Sequence, residues 1–146
     1  MDQIDRRMLE LLQQNARITI SELSKELSLS RPSVTERFQR LQERGVIVGF
    51  TAIVPPHVVG KKVSFIIQIS DLKVSASEFE SRISKEEDII ECHRVTGPIS
   101  YYLKAAVADM NSLSVLVDRL LAFGNLNTSV ILASPISPRP ILPILE

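Results

Sequence analysis

Apolar residues recur at helical spacing through the first third of the chain. Ile4, Met8, Leu11 and Leu12 form one stripe, which predicts a helix from about Asp2 to Asn15. Asp2 is placed to cap that helix, and Asp5 adds favourable charge in its first turn. Thr19-Ile20-Ser21-Glu22 fits a capping box, in which the threonine and the glutamate satisfy free backbone N–H groups. A second helix therefore starts at Thr19, with Leu23 and Leu27 on its apolar face. Ser28-Leu29 leaves room only for a short turn. Ser30 then caps a third helix with Pro32 in its first turn, where a missing N–H costs little. Gly45 ends that helix as a C-terminal cap.

The pattern then changes period. Residues 46–54, Val-Ile-Val-Gly-Phe-Thr-Ala-Ile-Val, are β-rich, uncharged and interrupted by Gly49, which predicts a two-stranded wing. Residues 1–54 thus form a winged helix-turn-helix. Pro55, Pro56 and Gly60 break the pattern and place a linker over 55–62. Beyond it, strands are expected at Val63–Ser70, Ile89–Thr96, Ser100–Val107 and Thr128–Ala133, with helices at Ser75–Ser84 and Met110–Phe123. The order β-α-β-β-α-β is the ferredoxin-like arrangement, so the fold class is α+β, with this second domain over 63–134. The tail, 135–146, holds Pro135, Pro138, Pro140 and Pro143 among apolar residues and cannot be a regular helix. Two alternatives stand for it: disorder, or an extended strap packed on a partner subunit.

Composition narrows the partners. The 146 residues carry 17 basic and 17 acidic side chains, so any nucleic-acid surface is a local patch on a neutral molecule. The single cysteine, Cys92, permits no internal disulfide and suits a reducing compartment; on a predicted strand it reads as core. Cys92-His93 with His57 as the other histidine supplies too few ligands for a metal site, so none is expected. There is no Gly-rich phosphate loop and no clustered titratable triad, and Glu86-Glu87-Asp88 reads as a solvated turn. The chain is therefore not read as an enzyme, and no cofactor is expected. No apolar run approaches ~18 residues and the first residues resemble no signal peptide, which reads as a cytoplasmic protein.

The candidate chemistry lies on the third helix. Val34, Phe38 and Leu41 share one face, while Ser33, Arg37, Arg40 and Arg44 share the neighbouring one. A guanidinium fork binds phosphate or a guanine edge bidentately. The helix start, with Ser30, Arg31, Ser33 and Thr35, is the end that enters the major groove in helix-turn-helix proteins. The candidate DNA-binding set is Ser30, Arg31, Ser33, Thr35, Arg37, Arg40 and Arg44. The competing arrangement is a solvated helix whose arginines pair with Glu36 and Glu43.

Ile4-Asp5-Arg6, Asn15-Ala16-Arg17, Ser21 to Ser30, Val34-Thr35-Glu36-Arg37 and Leu41 to Ile47 together resemble the Lrp/AsnC family of leucine-responsive, feast/famine transcription regulators. In the second half the resemblance rests on the βαββαβ order and on Val95-Thr96-Gly97. It implies a regulator that binds double-stranded DNA and is associated with the nucleoid. It implies a homodimer built through the C-terminal sheets, assembling further to a tetramer or octamer, and a small effector, usually an amino acid. The effector loop it implies is Gly97, Pro98, Ile99, Ser100 and Tyr101. Ser100 stands where the family carries an aspartate, and a hydroxyl offers an ammonium group no charge-assisted bond. This departure weakens the expectation of an amino-acid effector. The alternative function is an architectural protein that wraps DNA with little sequence or effector specificity. Ser28 stands where the family often has glycine, so a mildly strained left-handed serine is expected there.

Overall fold

The computed structural model describes residues 1–136 and 138–145; Ser137 and Glu146, both in the tail, lie outside the described residues. The chain divides into two compact units. One is Met1–Ile53 with the tail from Ile136, and the other is Val54–Pro135.

The first unit is a three-helix cluster. Helix α1 (Gln3–Gln14) is capped by Asp2, whose carboxylate accepts from the Asp5 N–H while Asp5 accepts from the Asp2 N–H. Helix α2 (Ile20–Glu26) carries the expected box between Thr19 and Glu22. Helix α3 (Arg31–Glu43) starts under Ser30 with Pro32 in its first turn. Arg44 caps its end, and Gly45, at φ +68°, is the first residue beyond. Met8, Leu11, Leu12, Leu23, Val34 and Leu41 form the buried core. Ser28 holds the left-handed conformation at φ +53°, as expected of its place in the α2–α3 turn.

The expected wing is not formed. Residues 46–54 hold no strand. Short arms interrupted by Gly49 gain too little from pairing with each other, since an isolated two-stranded ribbon is marginal in water. The segment is used for packing instead. The Val46 and Ile47 amides donate to the Leu41 carbonyl, and Phe50 stacks on Phe38 with centroids 6.1 Å apart. The expected linker holds a 3₁₀ turn at Pro56–Val59, closed by Gly60 at φ +88°.

The second unit follows the ferredoxin-like order. Strands β1 (Val63–Ser70), β2 (Ile89–Arg94), β3 (Tyr101–Val107) and β4 (Asn125–Val130) form one antiparallel sheet in the order β2-β3-β1-β4. Helices α4 (Ala76–Ile83) and α5 (Met110–Leu120) contribute Phe79, Ile83, Leu113, Leu116 and Leu120 to the core. They pack with Phe65, Ile67 and Ile69 of β1 and Tyr101, Leu103 and Ala105 of β3. The alternate positions Ile66, Gln68, Tyr102 and Lys104 lie on the opposite face.

Three expectations need correction. The last strand runs over Asn125–Val130, not Thr128–Ala133. Its start is set by Gly124, where a Cβ would lie 2.6 Å from the Ser70 carbonyl oxygen. Asn125 and Asn127 sit on the open face, so their polarity hides the strand from a hydropathy reading. Helix α5 stops at Leu120 and a 3₁₀ turn carries Leu121–Phe123. Cys92 is exposed, not core, because β2 is an edge strand whose side chains are mostly in solvent.

The tail lies along α1 of its own chain. Gln13 donates to the Ile141 carbonyl at 2.9 Å and accepts from the Ile141 amide at 2.9 Å, and Arg6 donates to the Pro143 carbonyl. A strap on a partner is therefore not what residues 141–143 make in this structure.

Candidate nucleic-acid interface

Helix α3 owes its position to its two ends and one seam. At its start the Ser30 hydroxyl accepts from the Ser33 amide and lies 2.9 Å from the Ser33 hydroxyl. The Thr35 hydroxyl donates back to the Arg31 carbonyl at 3.0 Å. Val34 and Leu41 are buried and Phe38 is half-buried, so the opposite flank faces solvent. Of the predicted residues, Ser30, Arg31, Arg40 and Arg44 are exposed, while Ser33, Thr35 and Arg37 are half-buried.

Arg31 is exposed and donates to the Ser21 hydroxyl of α2 at 3.0 Å, which links the start of α3 to the start of α2. Arg40 is 46% exposed, with only a long 3.9 Å approach to Asp5. Arg44 is exposed and makes no ion pair among the described residues. Glu36 and Glu43 take none of these arginines, so the self-paired arrangement does not form among the described residues.

Arg37 differs. Its side chain is 23% exposed, and one nitrogen, Nη1, donates to Asp2 Oδ2 at 2.7 Å and to Asp5 Oδ1 at 2.8 Å. The Asp5 amide and then the Arg37 guanidinium hold the Asp2 carboxyl below the usual carboxylate range. The hydrogen bonds that Arg37 donates to Asp2 and then to Asp5 raise its own pKa in turn. Asp5 is the only buried charged residue among those described. Sequence alone gives it the part of a first-turn charge. Its spacing to Met8 and Leu12 puts it on the buried stripe of α1, and that is the signal that it needs a partner.

The loop from Val95 to Ser100 closes the β2–β3 hairpin. Val95 donates to the Ser100 carbonyl at 3.1 Å, and the Ser100 amide donates to the Ile69 carbonyl at 2.8 Å. Gly97 takes φ +106°, a conformation that side chains rarely adopt. Thr96, Gly97 and Pro98 are exposed at the tip, and Ile99 and Ser100 are half-buried. Tyr101 does not join them. It is 1% exposed, with its ring 4.5 Å from that of Phe79 and its hydroxyl donating to Glu80. Burial, reinforced by Glu80, pushes its phenol up to about 12. It is a core residue, and Tyr102 is the tyrosine on the open face.

Among the described residues no group of His, Cys, Asp and Glu is placed to hold a metal ion, and no helix is long and apolar enough to cross a membrane.

Two family profiles match the chain: a winged helix-turn-helix DNA-binding domain over residues 1–48, and the Lrp/AsnC ligand-binding domain over 64–141. The leucine-responsive regulatory protein of Klebsiella pneumoniae is 37% identical over 124 residues, which is 83% of this chain and 76% of that one. B. subtilis LrpC superposes with a TM-score of 0.90 at 28% identity, covering 94% of this chain and 99% of its own. A Neisseria meningitidis transcriptional regulator, solved as a complex with L-Met, superposes with a TM-score of 0.89 at 27% identity, covering 97% and 96%. A helix-turn-helix unit joined to a four-stranded antiparallel sheet with two helices on one face is thus matched in sequence and in fold, and the chain belongs to the Lrp/AsnC family of DNA-binding transcription regulators.

Proposed function

We propose that α3 reads the major groove of duplex DNA through Ser30, Arg31, Ser33, Thr35, Arg40 and Arg44. The observation that carries this is the contrast within the helix. Its apolar face is pinned to the core, while Arg44 is exposed with no ion pair among the described residues and Arg40 is 46% exposed with only a 3.9 Å approach to Asp5. The unit holding α3 is nearly neutral, so these exposed cations supply the local field that a phosphate backbone needs. Residues 46–54 bring no charge, so they add backbone contacts to DNA or none.

The test is a salt titration of binding, by fluorescence anisotropy, to a duplex taken from upstream of the chain's own coding region. Arg40→Ala and Arg44→Ala should each weaken binding and lower the slope of log affinity against log salt by about 1 for each phosphate left without its arginine. Unchanged affinity in both variants would falsify the assignment of α3. The same duplex against a random one separates a sequence-preferring regulator from an architectural wrapper, which would show little preference.

For the second unit, the reading is a homodimer through the open face of the sheet, assembling further to a tetramer or octamer. A small effector would meet the Thr96–Ser100 tip. Ser100 offers that effector a hydroxyl and no charge, which favours a neutral or anionic group over an ammonium at this position. A thermal-shift screen of amino acids and related metabolites reads this directly. The proposed site of action is the nucleoid in the cytoplasm.

A further inference from the structure

We infer that Arg37 is a positioning residue and not a DNA contact: with Asp2 and Asp5 it forms a strut that fixes the angle of α3 against the start of α1. The inference rests on the reading of α3 as the DNA-recognition helix and changes the membership of its contact set.

The geometry is specific. Asp2 and Asp5 already bond to each other's backbone as the capping box of α1. Each keeps one carboxylate oxygen for Arg37: Asp2 Oδ2 at 2.7 Å and Asp5 Oδ1 at 2.8 Å. One guanidinium nitrogen therefore ties the first turn of α1 to the middle of α3. Around Arg37, the charged groups from the packed elements are Asp2 and Asp5 on α1 and Arg40 on α3. Asp5 is 5% exposed at its side chain, so removing Arg37 strands a buried carboxylate. Nη1, the nitrogen that holds both carboxylates, reaches a phosphate only by leaving them. At 23% exposure the Arg37 side chain also presents less of itself to solvent than Arg40 at 46%. Among the described residues Arg44 faces no carboxylate, and Arg40 has only the 3.9 Å approach to Asp5.

The strut makes a prediction whose sign is opposite to that of simple charge counting. Asp2→Asn removes a negative charge from the DNA-binding unit, which by field alone tightens DNA binding. Asparagine is as good a cap as aspartate, so α1 keeps its start. The side chain of Asp2 is 51% exposed, so the variant does not threaten the core. If the strut positions α3, Asp2→Asn instead weakens binding, by about threefold for an exposed ion pair.

The experiment measures anisotropy with the upstream duplex across a salt series, for wild type, Asp2→Asn, Arg37→Met and Arg40→Ala, with thermal melts of each. The expected result is weaker binding by Asp2→Asn and Arg37→Met at an unchanged salt slope, beside a slope lowered by about 1 in Arg40→Ala. Arg37→Met with a slope lowered by about 1 and an unchanged melt makes Arg37 a phosphate contact and overturns the strut alone. Tighter binding by Asp2→Asn overturns it too. If Arg37→Met does not fold, Asp2→Asn decides by its sign. Wild type silent on both the upstream and a random duplex removes the DNA reading itself, and the strut with it.

Discussion

The hydroxyl of Tyr101 donates a 2.6 Å hydrogen bond to Glu80, which joins β3 to the helix covering the same face of the sheet. The bond sits at the rim of the core, where the Tyr101 ring packs on Phe79. Tyr101→Phe keeps the ring and removes the bond to a charged acceptor. The expected cost is about 1.5–3 kcal/mol, read as a lower urea midpoint at constant m-value. An unchanged midpoint would show that the bond is matched by water.

The same phenol sets an alkaline limit. Its pKa rises from 10.0 to about 12, chiefly through burial and then through Glu80. Between those values the unfolded chain has lost the proton and the folded one keeps it. The unfolded state therefore binds fewer protons, so this contribution is whole below pH 10 and falls as pH rises towards about 12. In a Tyr102→Phe background, near-ultraviolet absorbance should show tyrosinate appearing late and together with unfolding. Ionisation near pH 10 with the fold intact contradicts this account of Tyr101.

Ser28 holds φ +53° in the tight α2–α3 turn. A left-handed non-glycine residue is disfavoured by roughly 1–2 kcal/mol. Ser28→Gly relieves that strain and adds freedom to the unfolded chain, for a net gain of about 0.5–1 kcal/mol. A differential scanning melt should rise. A lower melt would mean that the serine side chain makes a contribution larger than its strain.

Gly124 needs space and not a special φ. An added Cβ would meet the Ser70 carbonyl oxygen at 2.6 Å and Ile69 at 3.1 Å. Those atoms belong to β1, the central partner of β4, and cannot step aside cheaply. Gly124→Ala should destabilise the second unit by about 3 kcal/mol. A loss below about 1 kcal/mol, by calorimetry, would show that the β1–β4 edge is plastic.

Gln13 is the clasp on the tail, through two 2.9 Å bonds to the Ile141 backbone. Gln13→Ala removes both. At a net contribution of about 1 kcal/mol, the Ile141 amide should exchange with solvent about fivefold faster, while amides in β1 stay unchanged. Equal exchange in both proteins would mean that the Gln13 bonds do not hold the tail and that the Arg6 bond to the Pro143 carbonyl, with packing, suffices.

Much of the fold is legible in the sequence because it depends on local spacing. The caps at Asp2, Thr19 and Ser30 are decided within four residues, and so is the turn at Ser28. Strand β1 is legible because Phe65, Ile67 and Ile69 alternate with residues of the open face. What stays hidden is long-range. Nothing within reach of Asn125 reveals that Gly124 fits under Ser70. A β-rich composition over 46–54 states a preference for extended backbone but cannot supply a partner strand. The stripe of Ser33, Arg37, Arg40 and Arg44 is a correct statement about helix geometry. It cannot show that one of its arginines is taken by carboxylates thirty residues earlier. Tyr101 likewise joins the effector loop by motif alone, and the parity of β3 turns it inward.

The clasp at Gln13 also has a meaning in time. Residues 141–143 belong to the same compact unit as residues 1–53, yet the whole sheet domain is synthesised between them. The contact of helix α1 with the tail must wait until Pro143 has been added. The unit that holds α3 is therefore completed only after the sheet domain has been synthesised.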